Sequence, residues 1–119
     1  MKDKRIYLLE DDPDIREIIR YILAKGGYTI FAFERVQDFK KQLEAGFPDL
    51  FILDITLPDG NGLELSKQLT SDGAAKAPVI LMSADVINER KALEAGAKNF
   101  ISKPFRVDEL LNKVEDLVA

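Results

Sequence analysis

The chain has 119 residues, 46% hydrophobic and 32% charged, which suits one globular soluble domain and excludes a disordered segment or a two-domain chain. Lys and Arg number 17 against 21 Asp and Glu, a net charge of −4 without any basic run, so the domain alone does not read as a nucleic-acid binder. Cys and His are absent, which removes zinc sites, thiolate and Ser–His nucleophiles and histidine bases, and leaves carboxylates, hydroxyls and amines for any chemistry.

In chain order, Arg5 to Leu9 reads as a first strand ending in Glu10-Asp11-Asp12. Asp12 is an N-cap candidate and Pro13 suits the first turn of a helix. Ile15, Ile18, Ile19, Ile22 and Leu23 then recur at helical spacing until Lys25 and Gly26-Gly27 stop them. Tyr28 to Phe33 reads as a second strand, and Val36, Phe39 and Leu43 mark a second helix ending near Ala45-Gly46. After Pro48 comes Leu50-Phe51-Ile52-Leu53-Asp54, the run of a central parallel strand buried on both faces. A carboxylate is costly inside such a strand, so Asp54 belongs at its C-terminal end, where Pro58, Gly60 and Gly62 turn the chain away. Asn61 and Glu64 form a capping-box-like start to a third helix carrying Leu65 and Leu69. Ser71 to Ala77 reads as a loop and Pro78 to Ser83 as a fourth strand ending in a hydroxyl. A helix from about Val86 to Ala95 is closed by Gly96. Phe100-Ile101-Ser102 is a short fifth strand followed by Lys103-Pro104, and Leu110, Leu111, Val114, Leu117 and Val118 stripe a last helix.

Five strands alternating with five helices through short connections predict an α/β fold over residues 1–119: a flavodoxin-like, doubly wound (βα)5 domain with a five-stranded parallel sheet of order 2-1-3-4-5. That order gathers Glu10-Asp11-Asp12, Asp54, Ser83 and Lys103 at one C-terminal edge. Each has an ordinary explanation: acids compensating a helix dipole, a strand-ending acid facing water, a turn serine and a surface lysine. Together they suit a hard divalent cation, foremost Mg²⁺. Asp54 is then a carboxylate nucleophile for phosphoryl transfer, with Lys103 and Ser83 donating to phosphoryl oxygens.

The motifs Leu-Leu-Glu-Asp-Asp-Pro, Leu-Asp-Ile-Thr-Leu-Pro-Asp-Gly-Asn-Gly, Leu-Met-Ser-Ala and Ile-Ser-Lys-Pro-Phe, in this order and spacing, resemble a response-regulator receiver domain over essentially the whole chain. The resemblance implies that Asp54 is the phosphoacceptor, that Asp11 binds Mg²⁺ directly and Glu10 through water, and that the Thr56 carbonyl completes the protein ligands, with Asp12 an outer contributor. It implies that Ser83 turns toward the phosphoryl group, that Phe100 swings inward behind it, and that the Lys103–Pro104 bond is cis and fixes the lysine's approach. A half-buried sheet aromatic that needs no switching is the plainer reading of Phe100. Thr56 and Asp85 hold the two positions that tune phosphoryl lifetime in the family. Implied partners are a sensor histidine kinase or a histidine-phosphotransfer protein, docking on the first helix and the loop before the last one, near Ile15 and Phe105. A downstream target or effector domain is implied as well.

The acidic pair often found before the aromatic in receivers that dimerise through helix four, strand five and helix five is missing from Gly96-Ala97-Lys98-Asn99-Phe100, so a monomer or weak dimer is expected. No signal peptide or spanning apolar run is present, so no membrane role and a cytoplasmic location are expected. Rival functions on the same fold are a flavodoxin-like cofactor binder, an Asp-dependent phosphohydrolase and a degenerate receiver that only binds. Three acids in the first loop would repel a flavin phosphate, and Thr56 stands where a phosphohydrolase needs a second acid. The degenerate reading is opposed by the presence of every expected site residue. The domain itself turns over no external substrate in this reading.

Overall fold

The computed structural model describes residues 3–71, 77–85 and 88–118. Along the chain run β1 (Arg5–Leu9), α1 (Pro13–Lys25), β2 (Thr29–Phe33), α2 (Val36–Ala45), β3 (Leu50–Asp54), β4 (Thr56–Leu57), β5 (Gly60–Asn61), α3 (Gly62–Ser71), β6 (Val79–Ser83), α4 (Asn88–Glu94), β7 (Asn99–Ser102) and α5 (Val107–Val118). The five longer strands make one parallel sheet of order β2-β1-β3-β6-β7. This is the expected doubly wound order, with the numbering shifted by an unexpected antiparallel pair, β4 and β5.

Period-2 alternation divides each strand between two cores. Ile6, Leu8, Leu50, Ile52, Ile80, Met82 and Ile101 pack against Ile19, Ile22 and Leu23 of α1 and Leu110, Val114 and Val118 of α5. Tyr7, Leu9, Phe51, Leu53, Val79, Leu81 and Phe100 pack on the other face against Phe39 of α2, Leu65 and Leu69 of α3 and Ala92 of α4. The four apolar residues of β3 are fully buried, as their run requires, and Asp54 ends the strand, buried as well. Burying one such side chain stabilises the fold by about 1.5–3 kcal/mol. Tyr7 is the aromatic hub of its face: Phe31, Phe33, Phe39 and Phe51 meet it edge-on at 5.5, 5.9, 6.2 and 6.0 Å between centroids. Its hydroxyl, buried with the ring, donates to the Gly46 carbonyl at 2.8 Å, which removes the cost of burying it unpaired.

Helix ends follow local chemistry where the sequence supplies it. Asp12 caps α1, its Oδ1 accepting from the N–H groups of Asp14 and Ile15 at 2.9 and 3.2 Å, and Pro13 takes the first helical position. Asn61 caps α3 in the same way, accepting from Leu63 and Glu64 at 2.7 and 3.3 Å, while the Glu64 carboxylate pairs with Lys67. Gly96 closes α4 with a φ of 93°, a left-handed value that glycine adopts without strain. α2 differs: Arg35 at its N-cap makes no side-chain cap bond, and the cap comes from Asp59 instead.

Several boundaries move from the expected ones. β2 begins at Thr29 rather than Tyr28, β6 at Val79 rather than Pro78, and β7 at Asn99 rather than Phe100. α4 begins at Asn88 and ends at Glu94; the expected start at Val86, like most of the Ser71 to Ala77 loop, lies outside the described residues. Among the described residues no helix is long and apolar enough to cross a membrane.

Candidate functional site

β1 and β3 are neighbours in register, Leu9 opposite Leu53, so the next residue on each brings a carboxylate to the same level: Glu10 beside Asp54. Glu10 is fully buried and Asp54 is 6% exposed. β6 and β7 end in register at Ser83 and Ser102, and the Lys103 N–H continues the ladder to the Ser83 carbonyl at 2.9 Å. From there Lys103 reaches across the edge, its Nζ donating to Glu10 Oε1 at 2.5 Å and to Asp54 Oδ2 at 3.1 Å. The Lys103–Pro104 bond is cis, as the motif led us to expect.

Burial pushes the Glu10 carboxyl up to about 7, against the Lys103 ammonium and the Asp12 N–H that favour its charged form; the Asp54 charge adds to the rise. Burial alone would lower the Lys103 ammonium, but its bonds and charge pairing with Glu10 and Asp54 outweigh this and raise it. Glu10, Asp11 and Asp54 each offer a carboxylate oxygen, all within 4.8 Å of one another. A crowded set of oxygen donors without sulfur or imidazole is the chemistry of a hard cation such as Mg²⁺, so these residues fit that ion.

Two neighbours were not legible in advance. Arg16, one turn into α1, folds back so that Nη1 donates to the Glu10 carbonyl at 2.9 Å and the Asp11 carbonyl at 3.3 Å. It thereby braces the backbone of the acidic loop; its position four after Asp12 was the one signal available. Asn88, the first residue of α4, donates through Nδ2 to Ser83 Oγ at 2.9 Å, and the Asp85 N–H donates to the same oxygen at 3.0 Å. Ser83 is buried and thus tied to its own loop. Phe100 is also buried, 5% exposed, rather than half-buried, because its place in β7 faces the α2–α4 core; its carbonyl accepts from Lys113 at 2.7 Å. Thr56 opens the β4–β5 hairpin two residues after Asp54, with its side chain exposed. Asp12 serves as the α1 cap and donates its N–H to Glu10 Oε2 at 3.1 Å.

Beside the carboxylates lies an apolar groove of about 410 Å³ lined by Ile15, Ile18, Ala84, Lys103, Pro104 and Phe105. Lys103 therefore borders both the groove and the acidic cluster.

The family profile for the response regulator receiver domain matches residues 6–115. The chain belongs to that family. Among its relatives, the response regulator MprA of Mycobacterium ulcerans is 34% identical over 115 residues, covering 96% of this chain and 50% of the relative. MprA of Mycolicibacterium vanbaalenii is 36% identical over 118 residues, with the same coverage. The chain thus spans about half the length of the curated relatives it matches. The structure of the Thermotoga maritima response regulator TrrA in complex with Mg²⁺ and BeF superposes with a TM-score of 0.86 at 33% identity, covering 96% of this chain and 98% of that one. A response regulator from Chloroflexus aurantiacus gives 0.92 at 25% identity, with 98% of both chains covered.

Receiver domains are the phosphoacceptor switches of two-component systems and bind Mg²⁺ at an acidic pocket. In this receiver the buried cluster at the ends of β1 and β3 is the matching feature.

Proposed function

We propose that this receiver domain accepts a phosphoryl group on Asp54 from a phosphohistidine of a sensor kinase or a histidine-phosphotransfer protein. The observation that carries the reading is the Lys103 ammonium, bonded at once to Asp54 and to the buried Glu10 at the C-terminal edge of the sheet. Lys103 occupies one oxygen of Asp54, and the other attacks phosphorus as the P–N bond to the donor imidazole breaks. The bonding pair leaves with the imidazole, and a P–O bond replaces the P–N bond. Lys103 then donates to a phosphoryl oxygen, and Ser83, released from its loop, to another. Glu10, Asp11, Asp54 and the Thr56 carbonyl would hold Mg²⁺, which when bound neutralises charge gathered between the acids and the phosphoryl group. The domain promotes its own phosphorylation and dephosphorylation and turns over no external substrate.

The apolar groove between α1 and the β7–α5 loop, lined by Ile15, Phe105 and Lys103 among others, supports docking of the donor helix there. The product carries about two negative charges where one stood, and the response is a change on the α4–β7–α5 face through Ser83 and Phe100. A cytoplasmic location, one domain over residues 1–119, a monomer or weak dimer, and an output through a downstream target or effector domain complete the reading.

Intact-mass spectrometry after incubation with Mg²⁺ and acetyl phosphate tests it. A Mg²⁺-dependent adduct of about one phosphoryl group should form in the wild type and be missing from Asp54→Asn. An adduct of equal yield in Asp54→Asn would refute the assignment.

A further inference from the structure

α2 begins at a position with no local cap. Arg35 stands at its N-cap in an extended conformation, φ −129° and ψ 148°, without a side-chain bond to the helix. The first two N–H groups are taken instead by a residue 23 positions away in the chain: Asp59 Oδ1 accepts from Val36 at 2.8 Å and Oδ2 from Gln37 at 3.2 Å. These bonds, Val36 first, hold the exposed Asp59 carboxyl below its ordinary value. Gly60 lies so close to the helix that a Cβ there would come within 2.8 Å of Val36 Cγ2.

Asp59 sits at the tip of the β4–β5 hairpin, and Thr56 at its root. Two paired residues on each side, Thr56 with Asn61 and Leu57 with Gly60, are too few to hold such a hairpin by themselves. The root is fixed on its strand side, where the Ile55 N–H donates to the Met82 carbonyl at 3.0 Å and the Gly62 N–H to the Ile55 carbonyl at 2.8 Å. Leu57 anchors the first hairpin strand in the core shared with Phe39 and Leu65, and the turn beyond it is tied to α2 by the two Asp59 bonds and by the seat of Gly60 on Val36.

We infer that Asp59 is a positioning residue for the cation site: by pinning the hairpin tip to the N-terminus of α2 it fixes the orientation of the Thr56 carbonyl at the root. This inference rests on the proposed reading in which that carbonyl helps hold Mg²⁺. Asp59 touches neither the cation nor the phosphoryl group. The same two bonds also cap α2, so a loss of stability alone would not separate positioning from capping.

A set of variants separates them: Asp59→Ala, Asp59→Asn, and Asp59→Ala combined with Arg35→Ser, which supplies α2 with a local cap. Mg²⁺ affinity is read by isothermal titration calorimetry, and stability by thermal melting in the presence of a chelator. Asp59→Ala is expected to weaken Mg²⁺ binding about three- to tenfold, less than the roughly 10–100-fold lost with a group bonded directly to a metal ligand, because Asp59 acts through the hairpin. Asp59→Asn keeps one acceptor, for the Val36 N–H, but turns an amide NH2 toward the Gln37 N–H, so its Mg²⁺ affinity is expected to lie between those of wild type and Asp59→Ala. The Arg35→Ser/Asp59→Ala protein is expected to regain the melting temperature while its Mg²⁺ affinity stays low, and it serves as the reporter should Asp59→Ala alone fail to fold. Wild-type affinity in Asp59→Ala, or affinity that returns with the melting temperature in the double variant, would overturn the inference. A wild type that binds no Mg²⁺ would instead remove the reading beneath it.

Discussion

Glu10, Asp54 and Lys103 bond to one another across the ends of β1, β3 and β7, whereas Ser83 at the end of β6 bonds to its own loop through Asp85 and Asn88. The acidic half of the site is therefore already assembled: Glu10 and Asp54 are buried and paired with Lys103, and Arg16 braces the Glu10 and Asp11 carbonyls. The hydroxyl half has bonds to give up. A group that must exchange existing partners for new ones makes a two-state element, while a group already in place makes a binding site. In the proposed function, the difference between the halves is the difference between capture and response.

Breaking the acidic half should have the largest effect. Lys103→Met leaves two buried carboxylates facing each other without their shared cation, and should cost about 3 kcal/mol at pH 8, read by urea unfolding. The cost should shrink at pH 6, where Glu10 carries a proton. Gly62→Ala comes next. Its Cβ would meet the Asp54 carbonyl oxygen at 2.2 Å, and this is backbone that cannot swing aside, so about 2–3 kcal/mol and much of the phosphorylation yield should be lost. The buried Glu10 itself should be visible in pH dependence. Held at about 7 instead of 4.5, it keeps a proton in the folded chain that the unfolded chain has released. Stability with chelator present should therefore fall as pH rises from 4.5 to about 7 and then level, and Glu10→Gln should flatten that slope. A slope of opposite sign in thermal melts would contradict the burial argument. The smallest effect belongs to the hydroxyl half: Asn88→Ala should cost the fold only about 1 kcal/mol. It should also favour the switched form about fivefold, seen as a lower concentration of phosphodonor needed for half-maximal response.

Much of this was legible in the residues. The strands and their order follow from apolar runs and connection lengths, and the acids could be placed because a carboxylate has no room inside β3. Asp12 and Asn61 were readable as caps because each serves the helix that follows it. The equivalent cap on α2 was not, because Asp59 is remote in sequence and nothing around Arg35 points to it. The β4–β5 hairpin escaped notice because two-residue strands carry no periodicity. Phe100 is more buried than the half-buried sheet aromatic expected, since it pairs with Leu81 and both face the same core. Asn88 was read only as part of a helix, five residues beyond the hydroxyl it engages.

The most direct measurement is a crystal structure of the protein with Mg²⁺ and beryllium fluoride, which mimics a phosphoryl group on a carboxylate. The account predicts the mimic on Asp54, with Glu10, Asp11 and Lys103 close to their present places and the Ser83 hydroxyl moved from Asn88 to a fluoride. A mimic bound elsewhere, or one bound on Asp54 with the Ser83–Asn88 bond intact and the acidic residues rearranged instead, would contradict it.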